Sequence, residues 1–268
     1  MKQHTKSLGQ VFLHDKNIIE KIITFAKPQK QNQIIEIGCG NGSLTKALSN
    51  LGTPIHVIEI DERWLNEVKN MQLKHTTFEH IDALNVNFYN YPKSNLIANL
   101  PYQITTPLIE HFAKYKTQFY SLTIMVQKDV AERLISKKST KQFGSMTLFC
   151  NYHFSIEKGF SVSRNCFSPS PNVDSYVIKL TPIKSFFSTH EEALFFAMTR
   201  SFFWGRRKTM LNCLLNSPYL TCDPAIRDNK IICEQLSKRG EALNLNEHQT
   251  LFLSVKSFIS NKNHFKST

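Results

Sequence analysis

Short apolar segments rich in β-branched residues alternate with helical apolar stripes along the first half of the chain. The stripe over residues 17–27 has helical spacing, and the run at residues 34–37 has the composition of a strand. The alternation continues to about residue 136, which predicts an α/β fold with a parallel sheet covered by helices on both faces. Further strands are predicted at residues 55–60, 76–81, 95–98 and 119–126, and further helices at residues 43–50, 62–70, 104–114 and 128–136.

The pattern changes after about residue 145. Residues 149–160 and 176–180 predict strands added antiparallel to the sheet edge, and beyond residue 186 only helices are predicted. A boundary near residue 185 therefore divides a predicted α/β domain, residues 1–185, from a small predicted helical domain, residues 186–268. The predicted helices of this second domain cover about residues 190–204, 206–216, 224–237 and 246–260.

A glycine cluster lies between the first predicted strand of the sheet and the helix that follows it. Three of the nine glycines, Gly38, Gly40 and Gly42, fall within five residues. Backbone amides and a helix N-terminus can approach a ligand closely at such a turn. The spacing differs from the G-x-G-x-x-G of most dinucleotide sites. A tight turn without a ligand therefore stays open as an alternative.

Polar residues stand where three further predicted strands end. Glu59 can accept hydrogen bonds from ribose hydroxyls, Asp82 can accept from an adenine amino group, and Asn99 ends the fourth strand. The carboxyl ends of parallel strands meet at one crevice, so together these residues predict an adenosine-bearing ligand. Each alone could instead be a capping or solvated group. Glu36 places negative charge near the loop, which favours the cationic tail of S-adenosylmethionine over the pyrophosphate of a dinucleotide.

The segment Asn99-Leu100-Pro101-Tyr102 has the groups needed to methylate an exocyclic amine. The amine of adenine is a poor nucleophile because its lone pair is delocalised into the ring. The Asn99 side-chain oxygen and the Leu100 carbonyl can accept its two hydrogens and free that lone pair. Pro101 fixes the turn, and Tyr102 supplies a ring on which a flipped-out base can stack. We predict all four as catalytic residues, although the bare string also suits a surface turn.

Taken together and in this order, the motifs resemble the KsgA (RsmA) family of ribosomal RNA small-subunit adenine N6-dimethyltransferases. The resemblance runs from about residue 7 to about residue 212. It is carried by the segments Leu8–Leu13, Glu36–Thr45, Glu59–Asp61, Asp82-Ala83, Asn99–Tyr102, Gln127–Val130, Phe143-Gly144, Phe167–Ser175 and Arg206–Thr209.

The resemblance implies a Rossmann-like S-adenosylmethionine-dependent methyltransferase domain followed by a small C-terminal α-helical domain. It implies dimethylation of two adjacent adenosines near the 3′ end of small-subunit ribosomal RNA during ribosome assembly. S-adenosylmethionine is the implied methyl donor. The implied contacts to it come from Val11 and Leu13, through the N-terminal segment, and from Gly38, Glu59, Asp82 and Asn99.

Three positions depart from the family pattern. Cys39 stands where the family usually has Pro, and Gln103 stands where bacterial members have Asn. Val11 stands where Asn is usual, so a contact there must use the backbone. Phe167 can close over the flipped base opposite Tyr102, which makes it a further catalytic candidate. The alternative is a loop aromatic that covers the core.

The charge of the chain favours a polyanionic partner. The formal charge is +12, and residues 59–82, which hold the expected ribose and adenine contacts, carry −3. Arg206, Arg207 and Lys208 are predicted to open a helix, where cations oppose the helix dipole. We therefore interpret them as RNA-binding residues that contact phosphates, with a solvated charge run as the alternative.

Several classes of protein are excluded or disfavoured. No apolar run reaches the roughly 20 residues that cross a bilayer, and the N-terminal residues lack the apolar core of a signal peptide. We therefore expect a cytoplasmic protein with no membrane partner. We also expect a monomer. The six cysteines and ten histidines show no metal-ligand spacing, so no metal is expected.

Three other functions stay open at this point. A nicotinamide-dependent oxidoreductase would need a phosphate-type loop, which the chain lacks. A non-catalytic RNA-binding assembly factor would have no need of Asn99 and Tyr102. A resistance-type dimethylase acting on large-subunit ribosomal RNA shares the motifs, although Val173-Asp174-Ser175 resembles the small-subunit branch more closely.

Overall fold

The computed structural model of the protein describes residues 11–262, and their contacts group into two units. The first unit consists of the chain up to Ala131 together with Phe154–Ile183. The second consists of Glu132–His153 together with the chain from Lys184 onwards. Residues 132–153, which the sequence places in the first predicted domain, therefore group with the later helices. The division into domains 1–185 and 186–268 stays a prediction.

The first unit contains one large sheet and a separate pair of short strands. Five strands of the large sheet are parallel neighbours, and two antiparallel strands extend one edge. The strands of this unit are β1 (Phe12–Leu13), β2 (Gln33–Ile37), β3 (Ile55–Glu59), β4 (Thr76–His80), β5 (Ser94–Asn99), β6 (Phe119–Gln127), β7 (Phe154–Val162), β8 (Phe167–Ser168) and β9 (Ser175–Pro182). The helices that begin in it are α1 (Lys16–Ala26), α2 (Ser43–Ser49), α3 (Glu62–Lys69), α4 (Thr105–Lys114) and α5 (Lys128–Leu134).

The strand order in the large sheet is β4-β3-β2-β5-β6-β9-β7, so β2 lies at the centre of the parallel part. The four residues of β2 from Ile34 to Ile37 are all buried, as expected for a parallel strand covered on both faces. Each predicted parallel strand lies within one residue of the observed bounds. The predicted α/β architecture is confirmed.

The strand predicted at residues 149–160 is wrong in its first half. Ser145–His153 form helix α6, and the strand β7 begins only at Phe154. The apolar run here suits a buried helix as well as a buried strand, because periodicity alone does not separate the two. Side-chain hydrogen bonds from Thr147 to the Arg133 carbonyl (2.7 Å) and from Asn151 to the Leu134 carbonyl (3.3 Å) attach the helical form to the end of α5.

The second unit packs helices around an aromatic core. Phe195, Phe202 and Phe252 are fully buried there, and the rings of Phe195 and Phe252 lie 5.6 Å apart. A capping box of Ser188 and Glu191 begins α7. Besides α6, the elements of this unit are α7 (Thr189–Trp204), α8 (Met210–Leu215), β10 (Leu220–Cys222), α9 (Lys230–Gln235), α10 (Leu245–Val255) and β11 (Ile259–Asn261).

The prediction of helices alone beyond residue 186 is wrong. β10 and β11 pair antiparallel, with Leu220 opposite Asn261 and Cys222 opposite Ile259. The helix predicted over residues 246–260 therefore ends at Val255. The pairing joins segments almost forty residues apart, so no local pattern indicates it. Within residues 11–262, no helix combines the length and the apolar character that a membrane crossing requires.

Candidate functional site

The glycine loop after β2 adopts a backbone that favours glycine. Gly38 has φ +77° and donates its N–H to the Ile58 carbonyl at 2.8 Å. Gly40 has φ +49°, and a Cβ there would lie 2.7 Å from the ring of Phe12. The loop is thus held both by its left-handed conformation and by a ring packed directly against it. Phe12 is in turn 4.7 Å from the ring of Trp64, between ring centroids.

A cavity of about 230 Å³ opens beside this loop, at the carboxyl ends of β2, β3, β4 and β5. This is where a parallel sheet of this kind binds ligands. Nine of the predicted site residues lie in its wall: Val11, Leu13, Gly38, Glu59, Asp82, Asn99, Leu100, Pro101 and Tyr102.

Glu59, at the end of β3, is anchored to the backbone around the loop. Its Oε1 accepts a hydrogen bond from the Asp61 N–H at 2.9 Å, and its Oε2 accepts from the Gly40 N–H at 3.3 Å. The Cys39 thiol also donates to Oε2, at 3.6 Å. The carboxylate is therefore held in place at the cavity wall. Cys39 stands where Pro is usual in the family, and here its thiol adds a donor to Glu59.

Glu36 is the least satisfied polar group of the cavity wall. It is 1% exposed, and no side chain among the described residues meets its carboxyl oxygens with full hydrogen-bond geometry, although the nearby Thr45 hydroxyl partly offsets the effect of burial on its pKa. Burial raises the pKa of this carboxyl to about 8. Buried polar groups without partners are rare in folded proteins. A carboxylate of this kind, facing a cavity, fits a ligand that brings a cation or hydrogen-bond donors.

Asp82 both holds a turn and lines the cavity. Its Oδ1 accepts a hydrogen bond from the Leu84 N–H at 2.9 Å, so it caps the short 3₁₀ turn that begins at Ala83. The capping role that the sequence left open is therefore real. The residue also lies in the cavity wall, where a carboxylate can accept a further hydrogen bond.

Asn99, the last residue of β5, has its carboxamide oriented by the N-terminal segment. Its Nδ2 donates to the backbone carbonyl of Val11 at 3.5 Å. Its Oδ1 is buried and has no hydrogen-bond partner among the described residues. Because the amide nitrogen faces Val11, the oxygen is left as an acceptor at the cavity. The backbone carbonyl of Val11 therefore contacts Asn99, and a backbone contact from Val11 to a cofactor stays a prediction.

Tyr102 is held by the strand β9. Its hydroxyl lies 2.7 Å from Oγ of Ser175, and burial raises the pKa of the phenol. Ser175 belongs to the Val173–Ser175 segment that carries part of the resemblance, but the sequence alone does not predict its contact with Tyr102. The antiparallel pairing of β9 with β6, which places Ser175 opposite Gln127, brings it to Tyr102. The contact depends on the strand register of the sheet, so the sequence alone does not predict it.

Phe167 lies away from the cavity wall. It is 3% exposed, pairs with Leu13 in the two-stranded sheet of β1 and β8, and packs in the same apolar cluster as Cys39. Among residues 11–262, the residues lining the cavity do not include it. The position matches the alternative of an aromatic that covers the core. Stacking of Phe167 on a base stays a prediction.

The three basic residues lie in a turn and not in a helix, because α8 begins only at Met210. Arg206 forms a salt bridge with Glu241 (3.0 Å) and donates to the carbonyl of Lys141 at 2.9 Å. Arg207 is exposed and has no partner among the described residues. Lys208 lies over an aromatic ring. Arg206 is therefore bonded within the second unit, whereas Arg207 and Lys208 are exposed cations.

No group of three or more His, Cys, Asp or Glu side chains within residues 11–262 is arranged to hold a metal ion. The arrangement at the cavity is of another kind. A glycine loop of the G-x-G-x-G form lies beside the carboxyl groups of Glu59 and Asp82, which can accept hydrogen bonds from a ligand at the ends of parallel strands. The fold and the site together define the class of S-adenosylmethionine-dependent methyltransferases.

Comparison with known proteins narrows this class. A family described as "Ribosomal RNA adenine dimethylase" matches residues 1–222. A protein of Clostridium botulinum named ribosomal RNA small subunit methyltransferase A is 39% identical over 251 residues, which are 90% of each chain. A protein of the same name from Clostridioides difficile is 34% identical and covers 96% of this chain and 93% of its own. The chain belongs to the ribosomal RNA adenine dimethylase family, and the resemblance is confirmed.

Solved structures agree on the fold. A dimethyladenosine transferase from Plasmodium falciparum has a TM-score of 0.78 at 28% identity, over 92% of this chain and 98% of its own. The 23S rRNA methyltransferase ErmE has a TM-score of 0.68 at 20% identity, over 91% of this chain and 99% of its own. The second similarity is one of fold alone.

Proposed function

We propose that this enzyme uses S-adenosylmethionine to dimethylate the N6 amines of two adjacent adenosines near the 3′ end of small-subunit ribosomal RNA, during ribosome assembly. The observation that carries the proposal is the Asn99 carboxamide. Its oxygen is a buried acceptor without a partner among the described residues, and its nitrogen is bonded to the Val11 carbonyl. An acceptor fixed in this way suits an amine with two hydrogens to donate.

The chain supplies positioning rather than acid–base chemistry. Asn99 Oδ1 and the Leu100 carbonyl would accept hydrogen bonds from the adenine amine and draw its nitrogen toward tetrahedral geometry, which frees the lone pair. Tyr102, held by Ser175, would stack on the flipped-out base. S-adenosylmethionine supplies, when bound, an electrophilic methyl group on its sulfonium. The methylated amine is cationic and loses its proton without a strong base, so orientation accounts for most of the acceleration.

The residues of the cavity fit the proposed cofactor. Glu59 and Asp82 would accept from the ribose hydroxyls and the adenine amino group. Glu36 would face the ammonium of the amino-acid tail: its buried carboxyl, whose pKa is raised to about 8, would lose its proton beside that cation and would then repel a pyrophosphate. The same argument disfavours a nicotinamide dinucleotide. Titration with labelled S-adenosylmethionine and with NAD separates the two ligands.

The proposed partner is the small ribosomal subunit during its assembly. The relatives named above carry small-subunit names, and the charge of +12 suits RNA. Arg207 and Lys208 are the candidates for phosphate contacts, because Arg206 is already bonded to Glu241. A resistance-type dimethylase on large-subunit RNA and a non-catalytic assembly factor are the competing functions. A cytoplasmic monomer without a membrane partner stays our expectation.

The deciding experiment combines Asn99→Ala with mapping of the modified base. The wild type should form N6,N6-dimethyladenosine in small-subunit RNA, and Asn99→Ala should lower the methylation rate by about a hundredfold or more, because a fixed acceptor at the reacting amine is lost. Its affinity for S-adenosylhomocysteine should stay within about threefold of wild type. Modified large-subunit RNA would favour the resistance-type function. Equal loss of methylation and cofactor binding would contradict the role of Asn99.

A further inference from the structure

Trp204, the last residue of α7, exposes 49% of its surface. The two residues before it pack inward. Phe202 is 1% exposed, and the ring of Phe203 meets that of Phe143 edge-on at 5.9 Å. The aromatic core of the second unit is therefore filled without the indole. An indole has an apolar face and a polar N–H, so a half-exposed tryptophan can serve as a contact residue when its surroundings suit a ligand.

Basic residues lie in the turn that follows this ring, and one of them contacts it. Lys208 Nζ lies 5.1 Å from the ring centroid, within the range of a cation–π contact. Arg207, one residue earlier, is exposed and has no partner among the described residues. A backbone hydrogen bond from Met210 to the Lys238 carbonyl, at 2.9 Å, brings a second exposed basic segment to the same turn. Glu241, an acidic residue that contacts this turn, is bound to Arg206.

We propose that Trp204 and Lys208 form a stacking platform for an unpaired base of the RNA substrate, with Arg207 contacting the adjoining phosphate. An aromatic face beside cations is the combination that single-stranded nucleic acids require, since the ring stacks on the base and the cations follow the backbone. A protein partner would need acidic groups to meet Arg207 and Lys208. The inference rests on the proposed RNA substrate and adds a contact to it in the second unit.

The platform would strengthen binding without reading sequence. Every base has a face that can stack, so the contact tolerates any unpaired nucleotide at that position. The platform also gives the two arginines of the turn different roles. Arg206 fixes the loop at Lys141 and Phe143 through its carbonyl contacts, which leaves the neighbouring side chains to face a ligand.

The test uses the full chain, a short single-stranded oligoadenylate and an inorganic polyphosphate of similar charge. Trp204→Leu should weaken oligoadenylate binding by about 5- to 100-fold, the range for loss of one stacked base, and should change polyphosphate binding by less than about twofold. Oligoadenylate should quench the tryptophan fluorescence of the wild type, and that quenching should be clearly smaller in Trp204→Leu, which keeps only Trp64. Trp204→Phe, which keeps a ring, should bind with intermediate affinity.

Tyr219→Leu is the matched control, since Tyr219 is also in the second unit and 43% exposed. It should bind oligoadenylate as the wild type does. Unchanged oligoadenylate binding in Trp204→Leu would overturn the platform, and so would an equal loss of oligoadenylate and polyphosphate binding. Neither result bears on methylation. Conversely, failure to methylate small-subunit RNA, with quenching intact, would remove the proposed function and leave the platform standing.

Discussion

The cavity of the first unit and the basic turn of the second unit hold polar groups in opposite ways. At the cavity, the Asn99 oxygen and the Glu36 carboxylate are buried and unpartnered among the described residues. At the turn, Arg207 and Lys208 are exposed, and Arg206 is bonded to its own unit. A buried orphan acceptor is costly and needs a rigid support. An exposed cation costs little and can adapt to a polyanion.

We infer from this difference that function at the cavity depends on geometry more strongly than function at the basic turn does. At the cavity, we expect function to depend on exact placement, so that small changes of shape have large effects. At the turn, charge and exposure should matter more than placement, so that single changes have modest effects. Three further substitutions test this contrast, and two of them have a control variant in the same chain.

Gly40→Ala should have the largest effect of the three. Gly40 has φ +49°, and a Cβ there would lie 2.7 Å from the Phe12 ring, so the substitution strains the backbone and pushes the ring. We expect cofactor affinity to fall by about tenfold or more, and the free energy of unfolding to fall by at least about 1 kcal/mol. Calorimetric titration with S-adenosylhomocysteine and denaturant unfolding measure the two quantities.

Gly52→Ala is the control for Gly40→Ala. Gly52 has φ +69°, and nothing lies within 4 Å of its Cβ position. It should therefore lose stability through the backbone alone and keep its cofactor affinity. If Gly52→Ala weakened cofactor binding as much as Gly40→Ala, the strict geometry of the cavity would not be the cause.

Glu36→Gln should change the pH dependence of cofactor binding. The pKa of Glu36 is raised to about 8 by burial, so the carboxyl must lose a proton to meet the ammonium of the ligand. Wild-type affinity for S-adenosylhomocysteine should rise up to about tenfold per pH unit below pH 8 and then level off. Glu36→Gln should bind more weakly at pH 8 and show a flatter profile. A profile identical to that of the wild type would contradict the assigned contact.

The same shift predicts a trend in stability. A carboxyl whose pKa is raised in the folded state stabilises the fold below its unfolded pKa, and this contribution is lost as pH rises toward about 8. The free energy of unfolding of the wild type should therefore fall relative to Glu36→Gln between pH 5 and pH 8. Denaturant unfolding of both proteins across this range measures the difference.

Arg207→Ala and Arg206→Ala should have the smallest effects, and each should change a different measured quantity. Arg207 is exposed and unpartnered among the described residues, so Arg207→Ala should weaken RNA binding a few-fold and lower the slope of log affinity against log salt by about 1. Arg206→Ala should instead lower the melting temperature, because it removes the contacts to Glu241 and Lys141. Salt-dependent RNA titrations and thermal unfolding distinguish the two. An unchanged slope in Arg207→Ala would exclude the phosphate contact.

Local patterns were enough for the parallel half of the fold. The five parallel strands are predicted within one residue, and four of them are short, mainly apolar runs that end at a polar or glycine residue, whereas β4, with the sequence TTFEH, is mainly polar. Local patterns were not enough at Ser145–His153, where helix and strand share one apolar composition. They also failed for β10 and β11, whose pairing depends on a partner far along the chain.

The sequence alone was enough to predict which polar residues at the strand ends line the cavity. Gly38, Glu59 and Asn99 each stand at a strand end, and topology brings the ends of parallel strands together whatever the details of packing. Packing between distant segments decided how two functional candidates, Asn99 and Arg206, are held. The Asn99 amide is oriented by a carbonyl 88 residues away, and Arg206 is engaged by an acid 35 residues away. Contacts of this range depend on how distant segments pack, and no local pattern records them.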